Sequence, residues 1–325
     1  MIVRFTSAIA LVALLTTACG GRTVVTEPPA PLAPEKMAEL WKDPGPEPRD
    51  LFWGIGGDKH APPPDAVYKQ KAKDDTGFSV SYDVVSPDGV EWSAKIGAEA
   101  QTEVLVSRLL WALGYHQPPI YYLPSWKLDV GDQELRMESE ARFRPKLEHL
   151  ERLSEYWNWA DSPFSGTRPF KGLLVVLLML NSTDLKDDNN SIYELKKPWD
   201  GASRWFVVRD VGAALGETGK LFPRRNWLEG FEKPAFIKSI GDGKIKFDYK
   251  GRHAELLSMI EPADVQWAAT QMQRLTDQQL RDAFRAGNYA NAITERYIRR
   301  IREKVADGLL PRADARFASS TSRKH

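Results

Sequence analysis

The chain predicts an α+β protein in which a strand-rich first part is followed by a larger, mainly helical second part. Three observations carry this. Two β-rich runs, Phe78 to Val85 and Val90 to Ile96, flank the turn signal Ser86-Pro87-Asp88-Gly89. Ala98 to Leu113 then spaces Val104, Leu105, Leu109 and Leu110 as one helix does and stops at Gly114. From Leu147 onward, strong helical segments dominate: Gly172 to Leu180, Pro262 to Leu275, Asp277 to Ala286 and Asn291 to Asp307.

The N-terminus reads as a targeting segment. Arg4 supplies a positive charge, Ile9 to Leu15 form a short apolar run, and Thr16-Thr17-Ala18 precede Cys19, the only cysteine in the chain. The run is too short to span a bilayer and ends at a processing site, so residues 1–18 are expected to be a signal peptide. Cys19 is the expected lipidation site, and a lone cysteine excludes an intrachain disulfide. The alternative is an ordinary secretory signal with an incidental cysteine. The box resembles that of bacterial lipoproteins, and Gly20 in place of Asp implies an exported protein held at the outer membrane, facing the periplasm.

Residues 19–50 are rich in proline, with Pro28, Pro29, Pro31, Pro34, Pro44, Pro46 and Pro48, and predict an extended tether with a short helix near Glu35 to Trp41. Residues 51–145 are expected to form the small α+β lobe. Leu51 to Gly57 suggests a glycine turn, and further strands are expected at Ile120 to Leu123, Trp126 to Val130 and Glu134 to Ser139. Residues 146–312 are expected to form the helical lobe, with short strands at Ser191 to Leu195 and Trp205 to Val208, and residues 313–325 a polar, frayed tail. Of 325 residues, 42% are apolar, enough for a sizeable core. A formal net charge of +1 speaks against nucleic acid as a partner, which needs a basic excess.

Two polar stretches stand out. Asp184-Leu185-Lys186-Asp187-Asp188-Asn189 follows the apolar helix, and Asp210-Val211-Gly212 ends a strand-like run. Each alone reads as a turn rich in Asp and Asn. A calcium loop is a further reading, but the alternating ligands, central glycine and closing Glu are out of register. Five histidines are scattered, and neither a Gly-x-Ser-x-Gly nor a paired-His motif occurs. Trp157-Asn158-Trp159 with Ser162 to Arg168 suggests an aromatic plug for the helical lobe or one wall of a groove, with Arg168 pairing an anion.

Taken in order, buried helix, Asp-Leu-Lys-x-x-Asn, two strands and Asp-x-Gly resemble the catalytic loop and metal-binding turn of the protein kinase-like superfamily, in an atypical bacterial form. That resemblance implies a bilobal kinase-like fold, with a small β-rich N-lobe and a larger helical C-lobe. It implies Asp184 as the group that orients the acceptor hydroxyl, Lys186 as a charge on the transferred phosphate, and Asn189 and Asp210 as ligands of Mg or Mn. Asn190 rivals Asn189, because spacing alone admits a shift of one residue. Upstream, Lys95 on the second hairpin strand would contact the phosphates of ATP or another nucleotide, braced by Glu103, with Glu99 as the alternative. Gly54, Gly56 and Gly57 would lend backbone amides to the phosphates, although the usual strand-loop-strand setting is missing there.

Ser162 to Arg168 and Asp184 to Asn190 also resemble patterns, Asn-Pro-Phe-x-Gly-Thr-Arg and Asp-Leu-Lys-Asp-x-Asn-Asn, of a group of bacterial lipoproteins, with Ser162 departing from the first Asn. That likeness brings no activity with it. The functional expectation is an envelope-anchored phosphotransferase acting on a hydroxyl acceptor. Export away from the cytoplasmic ATP supply motivates the alternative: an inactive kinase-like lipoprotein that binds an envelope protein.

Overall fold

The computed structural model describes residues 32–76, 79–199, 201–218, 224–241 and 243–309, all within one compact unit. The expected signal peptide, Cys19 and the expected tail lie outside the described residues. Among those described, no helix is long and apolar enough to cross a membrane.

The described chain is a mixed α/β structure. It opens with a short helix α1 (Pro34–Met37) and then a seven-stranded sheet made from β1 (Val67–Asp74), β2 (Ser81–Val85), β3 (Glu91–Ile96), β4 (Tyr121–Leu123), β5 (Trp126–Asp129), β6 (Leu135–Glu138) and β7 (Ala141–Pro145). The spatial order is β4-β7-β3-β2-β1-β5-β6, with β1 and β5 parallel and every other pair antiparallel. The Ser86–Gly89 turn closes the β2–β3 hairpin, with the Gly89 amide donating to the Ser86 carbonyl at 2.9 Å and Gly89 at φ 85°.

Period-two alternation sorts this sheet into two faces. Tyr82, Val84, Trp92, Ala94, Trp126 and Phe143 point into one apolar core. Burying each large aromatic contributes about 2–3 kcal/mol by area. The opposite face carries Ser93 and Lys95 of β3, paired in register with Arg144 and Arg142 of β7.

The helix α2 (Glu99–Ala112) packs on β3, β4 and β7 and is buried all round except at Gln101 and Trp111. Its far side joins the larger core of the helical part. That part contains α3 (Arg168–Met179), α4 (Leu228–Glu232), α5 (Pro262–Gln273), α6 (Asp277–Ala286) and α7 (Asn291–Leu309). Thr167 caps α3, its hydroxyl accepting from the Phe170 amide, with Pro169 in the first turn. Capping boxes at Glu261/Asp264 and Thr276/Gln279 start α5 and α6. A three-stranded sheet joins β8 (Leu150–Arg152), which precedes α3, to β9 (Asn190–Trp199) and β10 (Ala202–Val208), which follow it, in the order β10-β9-β8. A hairpin of β11 (Ile237–Gly241) and β12 (Lys244–Phe247) follows.

Besides β8, α4, β11 and β12, which the sequence reading did not anticipate, three departures bear on the site. The stretch expected to be a loose tether up to residue 50 is packed where it is described. Leu40 is fully buried, the Trp41 indole donates to the Leu113 carbonyl at 2.7 Å, and the Phe206 amide donates to the Glu39 carbonyl at 2.8 Å. Proline spacing reports backbone stiffness and is blind to apolar residues set between the prolines. Strand β1 was not expected, because its sequence Val-Tyr-Lys-Gln-Lys-Ala-Lys-Asp is mostly polar and half of a sheet face here is solvated. Strand β7 was missed because arginine alternates with its apolar residues, yet all five of its residues are buried.

Candidate functional site

A cavity of about 470 Å³ opens where β1, β2 and β3 face the loops that flank β9 and β10. Lys95, Asp184, Lys186, Asn189 and Asp210 all line it. Its volume suits a small-molecule ligand.

Asp210 and Asn189 are set by the β9–β10 ladder. Val208 pairs with Asn190, so the two chains leave the ladder side by side. The Arg209 and Asp210 amides both donate to the Asn189 carbonyl, at 3.0 and 3.2 Å. The Asn189 side-chain amide donates to the Asp184 carbonyl at 2.7 Å, which ties the first motif to its own start and orients the remaining Asn189 oxygen away from that bond. Asn190, the rival, is fully buried beneath, donates to the Trp157 carbonyl at 2.9 Å and does not line the cavity.

Gly212 of the second motif has a steric reason to be glycine. A Cβ there would lie 2.7 Å from the Glu99 Cβ and 3.2 Å from the Glu99 carbonyl oxygen. The turn after Asp210 therefore runs against the first turn of α2, the same turn that carries Glu99 toward Lys95.

The Lys95 ammonium lies 3.1 and 3.0 Å from the two carboxylate oxygens of Asp210. It is 3.2 Å from Glu99 and 4.0 Å from Glu103. Both helix carboxylates thus face the lysine, with Glu99 the nearer. Glu99 is shared with Arg225, to which it is also ion-paired. The Asp184 carboxylate is 3.1 Å from the Lys186 ammonium and 3.6 Å from Arg252.

Glu103 has a different setting from the one expected. It is fully buried and lies 3.0 Å from Arg142 and 2.9 Å from Arg144. Burial pushes its pKa up, but Arg142, Lys95, Arg144 and Arg209 outweigh this and hold it at about 2. Arg144 is held down at about 9 by burial first and then by Arg209 and Arg142, with Glu103 opposing. One carboxylate therefore serves more cations than it can neutralise.

The glycines do not join the site. Gly54 backs onto the Arg108 guanidinium and Gly56 onto the Tyr121 hydroxyl, and the Gly57 carbonyl accepts from that hydroxyl at 2.8 Å. None of them lines the cavity, so the expectation that they cradle phosphates is corrected. Gly54 and Gly56 are small because the Arg108 and Tyr121 side chains press against them, whereas Gly57 has open space and a φ of 65°. The corresponding edge of the cavity is made by Ala72, Lys73 and Asp74 of β1 with Ser79 and Ser81.

The aromatic motif acts as a plug. Trp157, Trp159, Phe164 and Phe170 are buried together. The Trp157 indole donates to the Val207 carbonyl at 3.0 Å and the Trp159 amide to the Asp187 carboxylate at 2.8 Å, bracing the Asp184–Asn189 loop from below. Arg168 stays off the cavity, 4.0 Å from Asp264.

Arg142, Arg152, Arg209 and Arg225 also line the cavity and escaped the sequence reading. The signal for Arg142 and Arg144 was present as the alternation Ala-Arg-Phe-Arg-Pro. The described residues hold no cluster of three or more His, Cys, Asp or Glu able to cage a metal ion. Mg needs no such cage, since it is commonly held by one or two protein oxygens plus substrate phosphates. The Asp210 carboxylate with the Asn189 amide oxygen is a donor set of that kind.

Neither a protein-family model, nor a curated protein, nor a solved structure matches this chain.

Proposed function

We propose that this chain is a kinase-like phosphotransferase that moves a phosphoryl group from a nucleotide such as ATP to a hydroxyl acceptor, with Mg or Mn assistance. The reading includes a bilobal kinase-like arrangement, with the seven-stranded sheet and α2 as the small lobe, and an envelope location through a lipid on Cys19. The observation that carries it is the meeting of Lys95 and Asp210 across 115 residues of sequence, in a cavity that Asp184, Lys186 and Asn189 also line.

Each residue has a part that follows from its chemistry. Asp184 accepts the proton of the acceptor hydroxyl as that oxygen bonds to phosphorus and the bond to the leaving diphosphate breaks. Lys186 beside it faces the transferred group as a point charge. Lys95, backed by Glu99 and Glu103, holds the phosphates of the donor. Asp210 and Asn189 are the residues that would hold the metal, which when bound offsets charge on the phosphate oxygens.

A thermal-unfolding titration with ATP, with and without Mg or Mn, tests the reading. A metal-dependent rise in Tm is expected, and Asp210→Ala should abolish it. Asp184→Ala should keep the rise and lower phosphoryl transfer by about 10²–10⁴-fold. Unchanged transfer in either variant would sink the assignment.

One observation favours a second reading, an inactive kinase-like module that binds an envelope protein. Lys95 sits on both oxygens of Asp210, the carboxylate a metal would need. Ligand binding without any phosphoryl transfer by the unaltered chain would select this reading.

A further inference from the structure

A second cavity, of about 610 Å³, adjoins the first and shares Asp83, Ser93, Arg152 and Arg209 with it. Arg144, Lys146 and Lys196 also line it. Three arginines reach this place from three different elements: Arg144 from β7, Arg152 from β8 and Arg209 from the end of β10. Assembling like charges is costly unless something neutralises them.

The protein neutralises them only in part. Arg144 is buried and spends one nitrogen on Glu103 and the Arg209 carbonyl, at 2.9 and 3.3 Å. Its Nε and Nη1 have no hydrogen-bond partner. Buried guanidinium donors left unpaired are expensive. Arg209 has the Tyr193 hydroxyl at 3.2 Å as its side-chain partner, and neither Arg209 nor Arg152 has a carboxylate within 4.0 Å among the described residues. Glu103, the buried carboxylate that meets Arg144, is already shared with Arg142 and Lys95. At the rim, Lys146 pairs with Asp83 at 2.7 Å and Lys196 with Glu148 at 3.6 Å, both pairs in solvent.

We infer that the Arg144–Arg152–Arg209 cluster is an anion subsite, taking a phosphate group carried by a ligand of the adjoining cleft. Guanidinium groups match phosphate through forked, charge-assisted hydrogen bonds, and three from separate elements surround one such group. The inference deepens the phosphotransfer reading by giving the cleft a second phosphate locus, apart from the Lys95–Asp210 centre. It does not depend on transfer taking place.

The test is calorimetric titration of the full chain with inorganic phosphate and with pyrophosphate, without metal. Binding by the unaltered chain is expected, weakened by about 10- to 100-fold in Arg152→Gln and in Arg209→Gln. Arg152 is exposed, so its variant should fold, and its Tm without phosphate checks this. Asp210→Ala should retain phosphate binding while losing any metal-dependent nucleotide response, which separates failure of the subsite from failure of the kinase-like reading. Competition between phosphate and ATP would assign the group to the donor, and simultaneous binding would assign it to a second, phosphorylated substrate; both support the subsite. No phosphate binding at millimolar concentrations, or binding unaffected by either arginine substitution, would overturn it.

Discussion

Buried cations in the helical core and beneath the sheet are treated differently. In the helical core Lys304 is fully buried on α7, yet its ammonium donates to the Met179 carbonyl at 2.9 Å and to the Asn181 side-chain oxygen at 2.8 Å, with the Phe231 ring 3.8 Å away. It caps the carbonyl end of α3 and lines neither of the two cavities described above. Beneath the sheet, Arg142 and Arg144 share a single carboxylate and leave donors unpaired, beside two connected cavities. The contrast teaches that a satisfied buried charge is read as structure, whereas an under-satisfied one at a cavity wall is read as a place for a ligand.

The largest effect is expected from Glu103→Gln. Removing this charge leaves the buried Arg142 and Arg144 without the carboxylate they share, and a loss of about 3–5 kcal/mol in urea unfolding is expected. A loss below about 1 kcal/mol would mean that the cluster does not depend on Glu103.

The pH dependence of stability tests the same group. Glu103 is held at about 2, below its ordinary value of 4.5. Its contribution is therefore fully present above 4.5 and fades as pH falls from 4.5 toward 2. The shift corresponds to about 3 kcal/mol. Unfolding free energies measured across that window should fall accordingly, and the fall should shrink in Glu103→Gln.

Lys304→Met probes the other region. It keeps the packed stem but strands the Met179 carbonyl and the Asn181 oxygen, so a loss of about 2 kcal/mol is expected in the same assay. Phosphate should not alter the stability difference between this variant and the parent, because Lys304 lines neither cavity of the site.

The smallest effect is expected from Gly57→Ala. Gly57 has open space for a methyl group but sits at φ 65° and ψ −175°, a conformation only glycine adopts freely. A cost of about 1–2 kcal/mol should appear in unfolding with no change in ligand binding. A fall in nucleotide affinity would restore this turn to the site.

Much of the fold was legible because its signals are local. The Ser86–Gly89 turn, the glycine stop after α2, and the apolar repeats of α3, α5, α6 and α7 all appear close to where they were expected. The ends of the two polar motifs were legible for the same reason, since each is a turn written in a few consecutive residues. Strand β7 was not legible. Its arginines are tolerated inside the sheet because Glu103 of another element meets both of them, with carbonyls of Ser93 and Arg209 accepting further bonds.

By itself, then, the sequence determined the α+β class, the helices with their caps, the β2–β3 hairpin and the order in which Lys95, Asp184, Asn189 and Asp210 occur. Hydrogen bonds and apolar spacing within a few residues suffice for those. Tertiary structure alone decided that Glu99 approaches Lys95 more closely than Glu103, that Asn189 and not Asn190 faces the cavity, that the glycine turn at residues 54–57 packs elsewhere, and that Arg144 of β7, Arg152 of β8 and Arg209 just past β10 line one cavity. Those choices depend on register and on contacts between residues far apart in the chain, such as Lys95 with Asp210, and a side chain's partner across such a distance is fixed only when the intervening elements have packed.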